Sequence, residues 1–167
     1  MLDISRDPLF TPRLELRRTR IEDAAAMFEA LRHPEMYRYV PHKTPTSAAD
    51  VEARFARVTQ ETAPDRLDQW LNWTVWRRED GAPLGTVEAT VNQHHAASIG
   101  YLFDPRVWGN GYATEAMKAM MEHLRAQGAL VFKAEIDIQN DASKAVVRRL
   151  GFQHAFTEGA DEFWRLT

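Results

Sequence analysis

The sequence predicts an α+β (mixed α/β) fold: a mixed, mostly antiparallel sheet with one central parallel strand pair, flanked by helices. Three observations carry that expectation. Short segments alternating with period two occur throughout the chain, and longer segments repeat every three to four residues. The signals run in the order β-α-α-β-β-β-α-β-α-β-β. The longest helical segment, residues 111–127, stands between two strands, and a crossover of that length brings its flanking strands together in parallel.

Residues 13–17 alternate as Arg-Leu-Glu-Leu-Arg and read as the first strand, with Pro12 at its start. Thr19 and Glu22 have capping-box spacing and announce a helix to about Leu31, with Ala24, Met27, Phe28 and Leu31 at helical spacing. Residues 34–45 form a broken, aromatic loop or short helix. Ser47 caps a second helix to about Thr62, with Val51, Phe55 and Val58 on one face. Residues 71–76 alternate as a strand, Asp80-Gly81 signals a turn, and residues 84–91 form the next strand. Its faces differ: Val87, Ala89 and Val91 on one, Thr86, Glu88 and Thr90 on the other. A loop around His94 and His95 leads to a shorter strand at residues 99–103. The helix at 111–127 sets Ala113, Ala116, Met117, Met120 and Leu124 in one stripe, pairs Lys118 with Glu122 outside, and closes at Gly128. Residues 130–138 alternate strictly, with Phe132, Ala134, Ile136 and Ile138 inward. Asn140 or Asp141 caps a fourth helix ending at Gly151, and residues 152–156 and 162–166 form a closing hairpin.

The 167 residues suit one domain, residues 1–167, with one sizeable core. Hydrophobic residues at 44% and charged residues at 27% are ordinary for a soluble globular protein. A net charge of −3 gives no general attraction to nucleic acid or to an anionic membrane. The absence of cysteine excludes disulfides, thiolate metal sites and an acyl-cysteine intermediate. The N-terminus lacks a signal-peptide pattern, and no apolar run approaches the roughly 18 residues of a membrane helix. A cytoplasmic protein is expected.

The stretch from Phe103 to Glu115 carries the chemistry. A strand ends, a short loop holds Gly109 and Gly111, and a helix starts at once. The first turn of a helix has amides without intrahelical partners, at the positive end of the dipole. The two glycines let that backbone approach a ligand or take positive φ. Together they make an anion site suited to a pyrophosphate, with Arg106 as a cationic contact. The same pattern also serves as a plain strand-to-helix turn. It is neither common nucleotide fingerprint. A dinucleotide loop needs glycine where Thr114 stands, and a P-loop needs lysine where Tyr112 stands.

Arg106-Val107-Trp108-Gly109-Asn110-Gly111 resembles the acetyl-CoA signature Q/R-x-x-G-x-G/A of the GNAT family of N-acetyltransferases. The longer run from Trp108 to Ala116 is similar to that of its RimJ/RimL-like branch. So are Thr11-Pro12-Arg13-Leu14-Glu15-Leu16-Arg17, Asn140-Asp141-Ala142-Ser143 and Leu150-Gly151-Phe152. The resemblance spans nearly the whole chain in the right order. It implies the GNAT fold, in which the strands ending at Phe103 and Ile138 splay apart, and acetyl-CoA as cosubstrate. Pantetheine would enter that gap and pair with strand backbone near Leu102 and Phe103. Amides from Val107, Trp108, Gly109, Asn110, Gly111, Tyr112 and Ala113 would hold the pyrophosphate. Asn140 would contact the pantetheine arm besides capping its helix.

Acetyl transfer needs a neutral amine, a polarised thioester carbonyl and a proton for the departing thiolate. A backbone N–H at the splay can serve the carbonyl. Many GNAT enzymes donate the proton from a tyrosine past the asparagine, and the matching position here is Val147. The RimL-like resemblance points instead to Ser143, which also reads as a first-turn helix hydroxyl. The glutamate that many relatives carry two residues before Gly100-Tyr101 is Ser98 here, so Glu88 becomes the candidate base, directly or through water. Glu88 reads equally as a solvated strand carboxylate. His94 and His95 read as loop residues, adjacent side chains on a strand would make a poor chelate, and no metal site is expected.

Tyr37, Arg38 and Tyr39 lie where GNAT enzymes often shape the acceptor pocket, and Arg38 suits an acidic or carboxylate-bearing acceptor. An α-amino group has a pKa near ~7.7–8.0 and lysine near ~10.4, so the α-amine is neutral on the order of a hundred times more often. A weak or water-mediated base therefore favours a protein N-terminal or small-molecule α-amine over lysine, unless a pocket lowers the lysine pKa. The expected reaction is direct attack on acetyl-CoA, without an acyl-enzyme. The alternative is a catalytically degenerate GNAT domain acting as an acyl-CoA sensor or interaction module, which the missing tyrosine and glutamate permit. Pairing is common enough in the family that a homodimer is expected.

Overall fold

The computed structural model describes residues 1–62, 65 and 67–167. The strands are β1 (Leu9–Phe10), β2 (Leu14–Arg18), β3 (Gln69–Arg77), β4 (Pro83–Val91), β5 (Ala96–Phe103), β6 (Val131–Asp137), β7 (Gln153–Glu158) and β8 (Asp161–Leu166). The helices are α1 (Ala24–Leu31), α2 (Ala48–Val58), α3 (Tyr112–Ala126) and α4 (Asp141–Arg149). The strands form one sheet in the order β1-β2-β3-β4-β5-β6-β8-β7. The β5–β6 ladder is parallel and the others are antiparallel. The crossover through α3 makes it so, as expected. The short β1, which pairs Leu9 with Leu16 and Phe10 with Glu15, was not anticipated. Two residues are too few for alternation to show.

Each sheet face buries its own cluster. Leu16, Trp73, Val87, Ala89 and Phe132 pack with Met117, Met120 and Leu124 of α3. On the other face Met27, Leu31, Val51 and Phe55 from α1 and α2 pack with Trp76 and Leu102. The two-faced pattern of β4 is therefore real: Val87, Ala89 and Val91 are buried, while Glu88 and Thr90 are half-exposed.

Several local expectations hold. Ser47 Oγ accepts from the Asp50 amide at 3.3 Å, and Asn140 Oδ1 accepts from the Ser143 amide at 3.1 Å. Lys118 and Glu122 sit 3.9 Å apart on the exposed side of α3. Three expectations need correction. The Thr19–Glu22 capping box does not form, because the Thr19 amide donates to the Asn72 carbonyl and prolongs the β2–β3 pairing. Thr19 Oγ1 is left without a partner among the described residues. One 3-10 turn at Ile21–Asp23 then precedes α1, which starts at Ala24. The second helix stops at Val58, short of Thr62. Ile138 is exposed rather than inward, since β6 ends at Asp137 and the Ile138 backbone pairs with Ala160 and Lys144.

The feature that positions the site is a parting of strands. β5 and β6 pair only at Ala96–Val131, Ala97–Phe132 and Ser98–Lys133. Beyond Ser98, β5 stays with β4 as far as Phe103, and β6 stays with β8 as far as Asp137. From Ile99 onward, β5 therefore has one edge without a strand partner among the described residues.

Candidate active site

The loop between β5 and α3 is folded by its own hydrogen bonds. Asp104 is buried, accepts from the Arg106 amide at 2.9 Å, and is gripped by the Arg106 guanidinium at 2.7 Å. Burial alone would raise the Asp104 pKa, but the Arg106 hydrogen bonds and the Arg106 and His33 charges hold it below the usual value. The Trp108 indole donates to the Phe103 carbonyl at 2.9 Å, and the Asn110 side-chain amide donates to the Val107 carbonyl at 2.8 Å. Val107 and Trp108 amides are engaged with Asp104 and Pro105 carbonyls. The amides of residues 109–114 make no hydrogen bond to any described residue. Gly109 and Gly111 both sit at φ +78°, a left-handed conformation that a side chain disfavours.

Gly109, Gly111, Tyr112, Ala113 and Thr114 of that run border a groove of about 690 Å³ that runs between the end of β5, the start of α3, one face of α4 and the segment after α1. Of the residues named from sequence, Leu102, Phe103, Val107, Trp108, Gly109, Gly111, Tyr112, Ala113, Asn140 and Ser143 line it, and Arg38 and Tyr39 join them.

Four others do not line it. Arg106 is committed to Asp104 and to the Glu29 carbonyl, because a buried carboxylate needs its charge met. The Asn110 side chain ties the loop to itself. Tyr37 is buried and donates to the Leu31 carbonyl at 2.7 Å. Glu88 lies across β5 instead: its Oε1 is 3.2 Å from where a Cβ on Gly100 would be, and Arg54 is 4.0 Å away. Val147 is buried in the core.

Sequence reading missed Tyr101, Arg149 and the face of α4. Ala142, Ala145, Val146 and Arg149 line the groove at helical spacing, a period that could have been read once α4 was placed. Arg149 and Arg38 are groove-lining cations that make no ion pair with a described carboxylate. Tyr101 Oη lies 2.8 Å from Ser143 Oγ, bridging β5 and α4.

Known proteins share this fold. A solved acetyltransferase of Salmonella typhimurium, described as modifying the N-terminal serine of ribosomal protein L7/L12, superposes with a TM-score of 0.79 at 18% identity, covering 96% of this chain and 98% of that one. RimJ of Mycobacterium smegmatis, solved with CoA-disulfide, gives a TM-score of 0.78 at 21% identity, covering 96% and 85%. In sequence, the uncharacterised N-acetyltransferase YoaA of Bacillus subtilis (strain 168) is 30% identical over 148 residues, 87% of this chain and 82% of YoaA. Residues 13–153 match the acetyltransferase (GNAT) domain as a family. With the parted strands, the glycine loop and the α3 terminus all inside that span, the chain belongs to the GNAT acetyltransferase family.

Proposed function

We propose that this protein moves an acetyl group from acetyl-CoA to a primary α-amine, by direct attack of the amine on the thioester. The observation that carries this reading is the run of free amides at residues 109–114, opening onto a groove continuous with the unpaired edge of β5. A helix terminus of that kind suits a diphosphate, and an open strand edge suits the two amides of pantetheine. The α4 face runs from Asn140 to Arg149, roughly 13 Å at 1.5 Å per residue, which places a cation well along the groove from the reacting end. Arg149 takes the phosphate contact first assigned to Arg106.

At the reacting end, Asn140 spends Oδ1 on its helix cap and keeps its Nδ2 hydrogens for the pantetheine arm. Ser143 offers a hydroxyl to the departing sulfur. Glu88, which lies outside the groove lining, serves as the base through water, since Gly100 leaves its carboxylate room beside the β5 backbone. Arg38 and Tyr39 lie on the acceptor side. A protein N-terminus is the favoured acceptor. Its amine is already largely neutral near pH 8, and the structurally similar Salmonella enzyme is described as acting on an N-terminal serine.

The test is CoA release, read with a thiol reagent that meets no protein cysteine. Peptides with free N-termini, amino acids, polyamines and antibiotics are supplied with acetyl-CoA. Release with an α-amine acceptor, and none with its N-blocked form, supports the reading. Tight acetyl-CoA binding with no release for any acceptor would favour the acyl-CoA sensor instead. No binding at all would remove both.

A further inference from the structure

We infer that Tyr101 is a positioning residue that turns the Ser143 hydroxyl hydrogen toward the leaving sulfur. The inference rests on the acetyl-transfer reading and adds a residue that reading does not contain.

The geometry is specific. Tyr101 and Phe103 project from the same face of β5, with ring centroids 5.9 Å apart. The Tyr101 phenol reaches from β5 to the first turn of α4 and meets Ser143 Oγ at 2.8 Å, a contact spanning 42 residues of chain. Both side chains line the groove. The Ser143 backbone is fixed because its amide donates to Asn140 Oδ1 at 3.1 Å. Its hydroxyl rotor is therefore the freedom that matters, and a hydrogen bond between two hydroxyls has one donor.

Which atom donates decides what Ser143 can do. If Ser143 donated to Tyr101, its hydrogen would be spent inside the protein. The phenol is the stronger acid of the two, and burial pushes its pKa above the ordinary value, so it keeps its proton at neutral pH. It is the natural donor. With Tyr101 donating, Ser143 Oγ accepts, and the serine hydrogen is left for the groove. When the acceptor nitrogen adds to the carbonyl carbon, a C–N bond forms. As the adduct collapses, the C–S bond breaks with its electron pair on sulfur. Sulfur takes the proton of Ser143, Ser143 takes that of Tyr101, and Tyr101 is reprotonated from solvent, while the proton released by the acceptor nitrogen goes to the base, Glu88, and from it to solvent.

Tyr101→Phe tests this with the ring and its packing retained. Wild-type turnover and acetyl-CoA binding are measured first, so that failure of the acetyl-transfer reading is seen separately. Tyr101→Phe is expected to lower kcat about 10-fold or more, less than the roughly 100-fold or more of a direct general acid because Tyr101 acts through Ser143, while KM and the calorimetric Kd for acetyl-CoA stay within about twofold. Ser143→Ala should lose a similar factor, and Tyr101→Phe/Ser143→Ala no more than the worse single variant. A kcat unchanged in Tyr101→Phe, losses that multiply in the double variant, or weakened acetyl-CoA binding with kcat preserved would each overturn the assignment.

Discussion

Gly111 and Glu88 make the residue-scale case in opposite ways. Gly111 is the N-cap of α3 at φ +78°, and a Cβ there would meet only Arg13 Nη2, at a comfortable 3.6 Å. Its constraint is conformational. Gly111→Ala should cost about 1–2 kcal/mol from the left-handed backbone alone, and it should also weaken acetyl-CoA binding by turning amides off the groove. Urea melts and calorimetry on one sample check both; intact binding beside lost stability would confine the glycine to a structural role. Glu88 was chosen from sequence because it lies on the polar face of its strand, and the structure sets it across Gly100. Glu88→Gln should lower kcat/KM by on the order of a hundredfold, with acetyl-CoA affinity unchanged. An unaltered kcat/KM would leave Glu88 as a strand carboxylate beside Arg54. Arg106 marks the limit of reading at this scale. Its motif position was legible, but its partner was not, because Asp104 lies two residues back and only the folded loop shows that it is buried.

At the scale of elements, α3 is fastened to the first strands by one side chain. Glu115 accepts from Thr11 Oγ1 at 2.6 Å, from the Arg13 amide at 3.1 Å and from Arg13 Nε at 2.7 Å. Arg13 also covers the Tyr112 ring at 4.3 Å. The N-terminal strands thus brace the helix turn whose amides face the groove. Glu115→Gln should cost roughly 1–2 kcal/mol, since hydrogen bonds to a charged acceptor are lost from a partly exposed pair. Amide exchange should accelerate at Thr11 and at position 115, whose amides donate to the Leu14 and Gly111 carbonyls, before the rest of the sheet; uniform acceleration would argue against a local brace. The period of α3 and the caps of α2 and α4 were readable because they depend on near neighbours. The start of α1 was not, because Asn72, from a distant strand, claims the Thr19 amide that the capping box would have organised.

Across the whole molecule, protons set a common direction. His123 and His42 are held below the ordinary value of 6.5, chiefly by burial, with Arg18 beside the first and Arg54 beside the second adding to it. The unfolded chain therefore takes up protons that the folded one refuses, and stability falls as pH drops below about 6.5. Asp104 and Glu115 are also depressed, so their contribution is complete above their ordinary values of 3.8 and 4.5 and is lost as pH falls below them. Melting temperature should decline in two stages between pH 7 and pH 3. His123→Phe, which keeps a ring beside Trp73, should flatten the first stage; an unchanged slope there would exclude His123 as its source.

By itself, the sequence determined the order of elements from β2 onward, the parallel crossover, the two-faced fourth strand and the glycine loop at a helix start. Each depends on residues a few positions apart, where periodicity, capping and backbone freedom act. Only the tertiary structure decided that β5 and β6 part after three pairs, that Arg106 turns to Asp104, and that Tyr101 reaches Ser143. Those outcomes depend on which buried groups find partners once distant strands and helices meet, and no local spacing encodes that competition.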